Sequence, residues 1–292
     1  MTDVNITFAA LSDVGLTRSI NEDAFQLTDL STGASFDVSP SNGQFRLGQQ
    51  GALLTLSDGM GGHAAGEVAS STVISSVRTT LQAGGEAPAE QRLEAAVRRA
   101  NADVIEAAQI KGRHGMGATL TAVLVDHTTA YVAEVGDSRA YLLRAGQLKQ
   151  LTRDQSLVQM LVDQGLMKPE EAENSPRKNI LLQAMGSVDE VHAAIGQVEL
   201  RQGDKILICS DGISNAVAHG ELLQILAKNE PWPACAALVQ LANDRGGEDN
   251  LTAIVAQFDG SALPAPVPSE TVTGTFAVIK DFGASGPAAA AS

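Results

Sequence analysis

The sequence predicts an α+β fold: two β-sheets packed face to face, with helices outside each. Three observations predict it. Short apolar runs bounded by turn residues recur along the chain, helical patterns come in pairs instead of alternating singly with strands, and some runs are apolar at nearly every position, as a strand covered on both faces requires.

Residues 5–11 form the first apolar run and read as a strand. Residues 29–50 are polar and read as a loop, long enough to be functional and placed to frame a substrate entrance. A strand at 52–57 leads into a helix over 66–82, where Val73, Val77 and Leu81 recur four apart. Pro88 opens a second helix over 88–110 with Leu93, Val97, Ala100 and Val104 on one face. Strands follow at 119–125, 130–135 and 139–143, and Arg144–Ala145–Gly146–Gln147 has the glycine and length of a hairpin turn, so antiparallel pairing is expected. A helix fits 155–164, and the run at 205–209 reads as a strand of an inner layer. Helices at 219–228 and 233–244 come next, the latter with Cys235, Leu238, Val239 and Ala242 on one face, before a last strand at 251–256. From Asp259 the composition turns to Ser, Ala, Pro and Gly, so 259–292 is expected to be a flexible tail outside a folded domain of residues 1–258.

The 292-residue length and 44% hydrophobic content exclude a disordered chain. A net charge of −14 without a basic stripe would repel a nucleic-acid backbone, and 3% aromatics leave no platform for stacking bases. Only two cysteines, Cys209 and Cys235, are present, both in apolar runs, which suits buried thiols in a reducing compartment. No segment approaches the ~18 consecutive apolar residues that span a bilayer, and the first residues lack a leader pattern, so the expectation is a cytoplasmic protein with no membrane partner.

One tripeptide recurs. Ser57–Asp58–Gly59 ends one predicted strand and Ser210–Asp211–Gly212 ends another, while Asn21–Glu22–Asp23 and Glu248–Asp249–Asn250 each precede an apolar segment. A lone Asp-Gly is a turn signal. Carboxylates stationed repeatedly at the ends of buried strands repel one another if they converge without a cation. Divalent Mg²⁺ or Mn²⁺ favours such hard oxygen ligands, and two such ions sharing a carboxylate activate water for phosphate-ester hydrolysis. On these residues alone a phosphatase, a nuclease and a structural metal site remain open.

Six segments together are more specific. Arg18–Ser19–Ile20–Asn21–Glu22–Asp23–Ala24, Asp58–Gly59–Met60–Gly61–Gly62–His63, Gly117–Ala118–Thr119–Leu120, Val135–Gly136–Asp137–Ser138–Arg139–Ala140–Tyr141, Ser210–Asp211–Gly212 and Gly247–Glu248–Asp249–Asn250 occur in the order of the PP2C (PPM) metal-dependent protein phosphatases. The chain resembles that family over about residues 7–258, in its bacterial serine/threonine form. The resemblance implies a four-layer αββα sandwich of two antiparallel sheets flanked by helices. It also implies an enzyme that hydrolyses phosphoserine and phosphothreonine in proteins with two Mn²⁺ or Mg²⁺ ions, and a third, weaker ion in bacterial members. By position, Asp58 would bridge the two ions, with Asp211 and Asp249 on the first and the Gly59 carbonyl on the second. Glu22 and Asp23 would act through metal-bound waters, and Asp137 with Asp211 would hold the third ion. Arg18 would bind the phosphate with its planar fork, His63 would protonate the leaving alkoxide, and Asn250 would support the ligands by hydrogen bonds. The implied partners are phosphorylated proteins, namely a serine/threonine kinase, its substrates and phosphothreonine-reading domain proteins, in bacterial signalling. Control of a secretion apparatus is one context for relatives, and a monomer is the default.

The chain departs from the family pattern in 151–186, the region of a mobile flap. Gln155 stands where histidine is common and Gln183 where arginine is common, which bears on substrate preference. In the tail, Thr271, Thr273 and Thr275 follow Glu270 and could be phosphorylated to make a docking peptide. The rival readings are three: a pseudophosphatase that binds phosphoproteins without hydrolysing them, a dinucleotide-binding enzyme through Gly59–Met60–Gly61–Gly62–His63–Ala64, and a metal-dependent nuclease. The second lacks a following strand ending in a ribose-binding acid, and the charge disfavours the third.

Overall fold

A computed structural model describes residues 3–61, 65–267, 272 and 276–282. From the N-terminus come β1 (Asn5–Asp13), β2 (Asp23–Asp29), β3 (Ser35–Phe36), β4 (Ser41–Arg46) and β5 (Ala52–Met60), then the helical pair α1 (Ala65–Gln82) and α2 (Ala89–Ala108). The middle of the chain forms β6 (Gly117–Ala118), β7 (Leu120–Asp126), β8 (Thr129–Val135), β9 (Arg139–Arg144) and β10 (Gln147–Gln150), followed by the short helices α3 (Leu157–Asp163) and α4 (Pro169–Glu173). The last third holds β11 (Ala194–Glu199), β12 (Asp204–Cys209), α5 (Asp211–Ala216), α6 (His219–Lys228), α7 (Pro231–Asp244), β13 (Leu251–Asp259) and β14 (Phe276–Lys280).

The strands make two sheets, ordered β10-β9-β12-β13-β1-β4 and β14-β11-β8-β7-β5-β2-β3, with β6 attached to β5. Neighbouring strands are antiparallel throughout. Alternate residues of each sheet face the other: Phe8, Ile206, Ile254 and Phe258 from the first meet Leu54, Leu56, Val123 and Val132 from the second. On the outer face of the second sheet, Val73, Val77 and Leu81 pack with Leu93, Val97, Ala100 and Val104. On that of the first, Cys235, Leu238, Val239 and Ala242 pack over Leu207, Val255 and Ala253. The layered αββα architecture expected from the sequence is therefore the one observed, and the same periodic positions build it.

Two expectations need correction. Residues 29–50 are not a free loop, because β4 pairs along β1 from Asn5↔Arg46 to Ala10↔Ser41. Phe36 and Phe45 anchor the segment by packing on Phe8, with ring centroids 4.8 and 5.9 Å away; the polar residues between them occupy the solvent side of an edge strand. Part of the expected tail also belongs to the fold. Asp259 closes β13, Leu263 is buried, and β14 pairs with β11, its Phe276 ring lying where a side chain on Gly196 would otherwise stand. Lys280 Nζ reaches Glu94 Oε1 at 2.6 Å. Thr271, Thr273 and Thr275 lie outside the described residues.

A fully buried ion pair joins the end of β9 to the start of β12: Arg144 donates from Nε and Nη2 to the two Asp204 oxygens at 2.9 and 2.6 Å, and Nη2 also reaches the Glu199 carbonyl. Removing one partner strands the other charge, so Asp204→Ala is expected to cost ~3–5 kcal/mol in urea denaturation, against near-neutrality for an exposed pair such as Arg98–Glu94.

Candidate active site

The site residues stand at strand ends, gathered at one end of the sandwich. In the second sheet β2 begins and β5 ends side by side, so that Asp23 and Asp58 are direct cross-strand partners. In the first sheet Asp211 follows β12 as the opening residue of α5, and Asp249 precedes β13. The β12 and β13 ends are tied together: Ser210 N donates to the Thr252 carbonyl at 3.1 Å and Thr252 N to Ser210 Oγ at 3.0 Å. Asp137 lies in the connection that carries the chain from β8 in the second sheet to β9 in the first.

Hydroxyl and amide groups hold these carboxylates. Thr119 brackets Asp58, its Oγ1 accepting from Asp58 N at 2.9 Å while its own N–H donates to the Asp58 carbonyl at 2.8 Å. Ser138 Oγ shares a hydrogen bond with Thr119 Oγ1 at 2.9 Å, which connects the Asp58 strand to the Asp137 turn. Thr252 Oγ1 donates to Asp23 Oδ2 at 2.6 Å, and Ser12 Oγ joins it at 2.7 Å. Asn250, expected as a supporting residue, accepts from Glu22 N at 2.8 Å and donates to the Val14 and Ile20 carbonyls, fixing the loop that bears Arg18. Thr119 and Ser138 fall inside segments that carry the resemblance, though no role was read for them, whereas Thr252 and Ser12 had no signal beyond their place at the end of a buried strand.

Gly59 permits the close approach of α1. A Cβ there would stand 2.2 Å from the Gly66 carbonyl oxygen, and Gly59 N donates to the Glu22 carbonyl at 3.1 Å. The Glu22 carboxylate lies against Gly66 at the start of α1, where an N–H favours its charged form. Burial outweighs that effect and raises its pKa, against the pull of the Arg18 charge.

Electrostatics make the group a single unit. Burial first, then the charges of Asp23, Asp211, Asp137 and Asp249, hold Asp58 well above the usual carboxylate range. Asp23 is pushed up to about 7 by burial and by Asp211 and Asp249, despite hydrogen bonds from Thr252 and Ser210. Burial, Asp211 and Asp154 raise Asp137 well above its ordinary value, and burial with Asp249 raises Asp211 to about 6 against the opposing charges of Lys178, Arg18 and Arg139. Asp23, Asp58, Asp137 and Asp211 thus each resist ionisation, through burial first and neighbouring carboxylates second.

A divalent cation is the natural complement of such a set. Among the described residues no three Asp, Glu, His or Cys side chains are grouped so as to hold a metal ion by themselves. The chemistry of the donors fits nonetheless: all are hard oxygens, and Asp23 Oδ1 is buried without a hydrogen-bond partner, a polar atom that burial penalises unless something ligates it. Arg18 stands beside them, half exposed, its Nη2 donating to Asp249 Oδ2 at 2.8 Å. His63 lies outside the described residues. Neither cysteine is a nucleophile, since burial pushes both thiols up to about 12.

The family model for protein phosphatase 2C matches residues 42–256, a span containing Asp58, Asp137, Asp211 and Asp249. The chain belongs to the protein phosphatase 2C family. The serine/threonine protein phosphatase PstP of Mycobacterium tuberculosis (strain ATCC 25618 / H37Rv) is 40% identical over 256 residues, covering 86% of this chain and 45% of that protein. The chain therefore spans less than half the length of that relative. The serine/threonine phosphatase stp of Listeria monocytogenes (serovar 1/2a) is 37% identical over 216 residues, covering 71% of this chain and 84% of the relative. Among solved structures, the catalytic domain of PstP in complex with two manganese ions superposes with a TM-score of 0.73 at 36% identity, covering 88% of this chain and 99% of that domain. Among the described residues no helix is long and apolar enough to cross a membrane.

Proposed function

We propose that this protein phosphatase 2C chain hydrolyses phosphoserine and phosphothreonine in proteins, opposing serine/threonine kinases in the bacterial cytoplasm. The observation that carries the reading is the convergence of Asp23, Asp58, Asp137, Asp211 and Asp249 at one end of the sandwich, where burial and neighbouring charge raise the carboxyls of Asp23, Asp58, Asp137 and Asp211. Two divalent cations would be held by Asp58, serving both, with Asp211 and Asp249 for one and the Gly59 carbonyl for the other, and Glu22 and Asp23 would contribute through water. Mn²⁺ is the ion assigned, by analogy with the PstP domain. Asp137 and Asp211, which line one cavity of about 540 Å³, would hold a third and weaker ion. Bound there, the cations supply Lewis-acid activation of water and neutralise phosphate charge.

The chain's own groups do the rest. Arg18 exchanges its contact with Asp249 for two phosphate oxygens, a shift that an exposed ion pair permits at small cost. Thr252 occupies Asp23 Oδ2, so Oδ1 would remain available to a cation or its bound water. Thr119 keeps the Asp58 backbone immobile, so the carboxylate needs no reorganisation as charge develops. His63 donates the proton that the departing seryl or threonyl oxygen needs. With both thiols buried and protonated, neither cysteine takes up the phosphoryl group.

The test is hydrolysis of a phosphothreonine peptide and of p-nitrophenyl phosphate in EDTA, Mg²⁺ or Mn²⁺, by the wild type and by Asp211→Asn. Turnover that requires a divalent cation and collapses in the variant supports the reading. A folded, Mn²⁺-binding protein that hydrolyses neither substrate overturns it in favour of a phosphoprotein-binding role.

A further inference from the structure

The two glutamines that depart from the family pattern, Gln155 and Gln183, are buried at 1% and 5% exposure and hydrogen-bonded to each other. Gln155 Oε1 accepts from Gln183 Nε2 at 2.9 Å and from Gly136 N at 2.9 Å, while Gln155 Nε2 donates to the Glu134 carbonyl at 3.1 Å. The Gln155 backbone N–H also donates to the Gly136 carbonyl at 2.8 Å. Gly136 is thus held at both its N–H and its C=O by one residue. It has φ +110°, and an added Cβ would strike the Thr119 side chain, so the turn presenting Asp137 has little freedom. Gln183 Nε2 donates in addition to the His192 carbonyl at 2.7 Å, and its Oε1 accepts from His192 N at 3.0 Å. Each amide oxygen and nitrogen of the pair has a partner, as burial demands.

The same two residues flank a neck. Ser156 and Leu181 form an isolated antiparallel bridge, Leu157 N donates to the Ile180 carbonyl at 2.8 Å, and Leu182 N to the Gln155 carbonyl at 2.8 Å. Everything between, including α3 and α4, leaves the sandwich and returns through this neck. That excursion contributes Val158, Gln159, Glu173, Lys178 and Asn179 to the wall of the cavity that Asp137 and Asp211 also line.

We infer that Gln155 and Gln183 are positioning residues that set the Asp137 turn and the residue 157–180 excursion as one unit, and so govern capture of the peptide part of the substrate and of the weakest metal ion. The inference rests on the proposed function. The device is built from two neutral amides, so its hold on Gly136 involves no ion pair. A small aryl phosphate, needing Arg18 and the two core ions, does not depend on it; a phosphopeptide lying against the excursion does.

The experiment compares Gln155→Leu, Gln183→Leu and the double variant Gln155→His/Gln183→Arg with the wild type, in steady-state kinetics, Mn²⁺ calorimetry and thermal unfolding. Both Leu variants are expected to keep kcat/KM for p-nitrophenyl phosphate within about twofold while raising KM for the phosphothreonine peptide. The affinity of the weakest Mn²⁺ should fall about tenfold, the scale set by loss of a residue that orients a ligand. The double variant, which returns both positions to the residue types common in the family, should recover both. Unchanged peptide KM and Mn²⁺ affinity overturn the inference, as does a loss of both substrates in step with the melting temperature, which is what a merely structural role produces. If the wild type hydrolyses neither substrate, the phosphatase reading is what fails, and Mn²⁺ affinity alone then decides: unchanged binding of the weakest ion in folded Gln155→Leu overturns the positioning role.

Discussion

Asp58→Asn is expected to lower kcat for a phosphothreonine peptide by more than ~100-fold, at least the scale on which a single preorganised charge-stabilising group contributes, and to make the metal-free protein more stable. Both effects have one cause. Asp58 lies directly across from Asp23 and is surrounded by the charges of Asp211, Asp137 and Asp249. Its carboxylate is costly to hold in the folded chain without a cation and, in the proposed function, is the ligand common to both ions. Amidation removes the repulsion and the ligand together. Thermal unfolding in EDTA at neutral pH should therefore give a higher midpoint for the variant than for the wild type, alongside its lost turnover. A variant that keeps its activity, or one destabilised in EDTA with its backbone intact, would contradict this placement of Asp58.

The second large effect is on stability against pH. In the folded protein Asp23 titrates at about 7 and Asp211 at about 6, whereas an unfolded aspartate titrates near 3.8. Both therefore bind protons more tightly when folded. The stabilisation is fully present below about pH 4, where both states are protonated, and is lost as the pH rises through 6 and 7. Urea denaturation in EDTA should show stability falling between pH 4 and 7, by an amount on the order of a few kcal/mol. Saturating Mn²⁺ at pH 7.5 should reverse the loss, adding ~2.7 kcal/mol at a concentration 100-fold above Kd. Stability that rises over this interval in EDTA would mean that the carboxylates do not converge.

The layers of this fold were legible because its central strands bury both faces. The runs at 52–57, 119–125, 205–209 and 251–256 carry little but apolar and small residues, and the structure makes them β5, β7, β12 and β13. Edge strands were not legible. In β4 the sequence Ser-Asn-Gly-Gln-Phe-Arg contains one large apolar residue, and in β11 Gly196 interrupts the pattern at a register shift, because Phe276 from β14 supplies the missing side chain. A strand completed by a distant segment has no local signature. Likewise β14 offers Phe276, Ala277, Val278 and Ile279 within a composition that otherwise favours coil, and only the open edge of β11 gives it a place.

The acidic residues of the site could be found from sequence since Asp-Gly at the end of a buried strand is conspicuous once it recurs. The hydroxyls that orient them could not. Thr119, between β6 and β7, and Thr252, in β13, lie among apolar and small residues, where a threonine is unremarkable until the fold sets its Oγ1 against Asp58 N or Asp23 Oδ2. Gln155 and Gln183 were visible as departures, but what they do depends on a neck closed by residues 156 and 181. Lys178, which lowers the Asp211 pKa from the far side of the cavity, belongs to a surface excursion with no periodicity to place it.

The most direct test of the convergent carboxylates is anomalous diffraction from crystals soaked in Mn²⁺. Two strong peaks flanking the Asp58 carboxylate, one toward Asp211 and Asp249 and the other toward the Gly59 carbonyl, are the predicted result. Peaks confined to surface acids, with the Asp23, Asp58, Asp211 and Asp249 side chains left without an ion at saturating Mn²⁺, would contradict it.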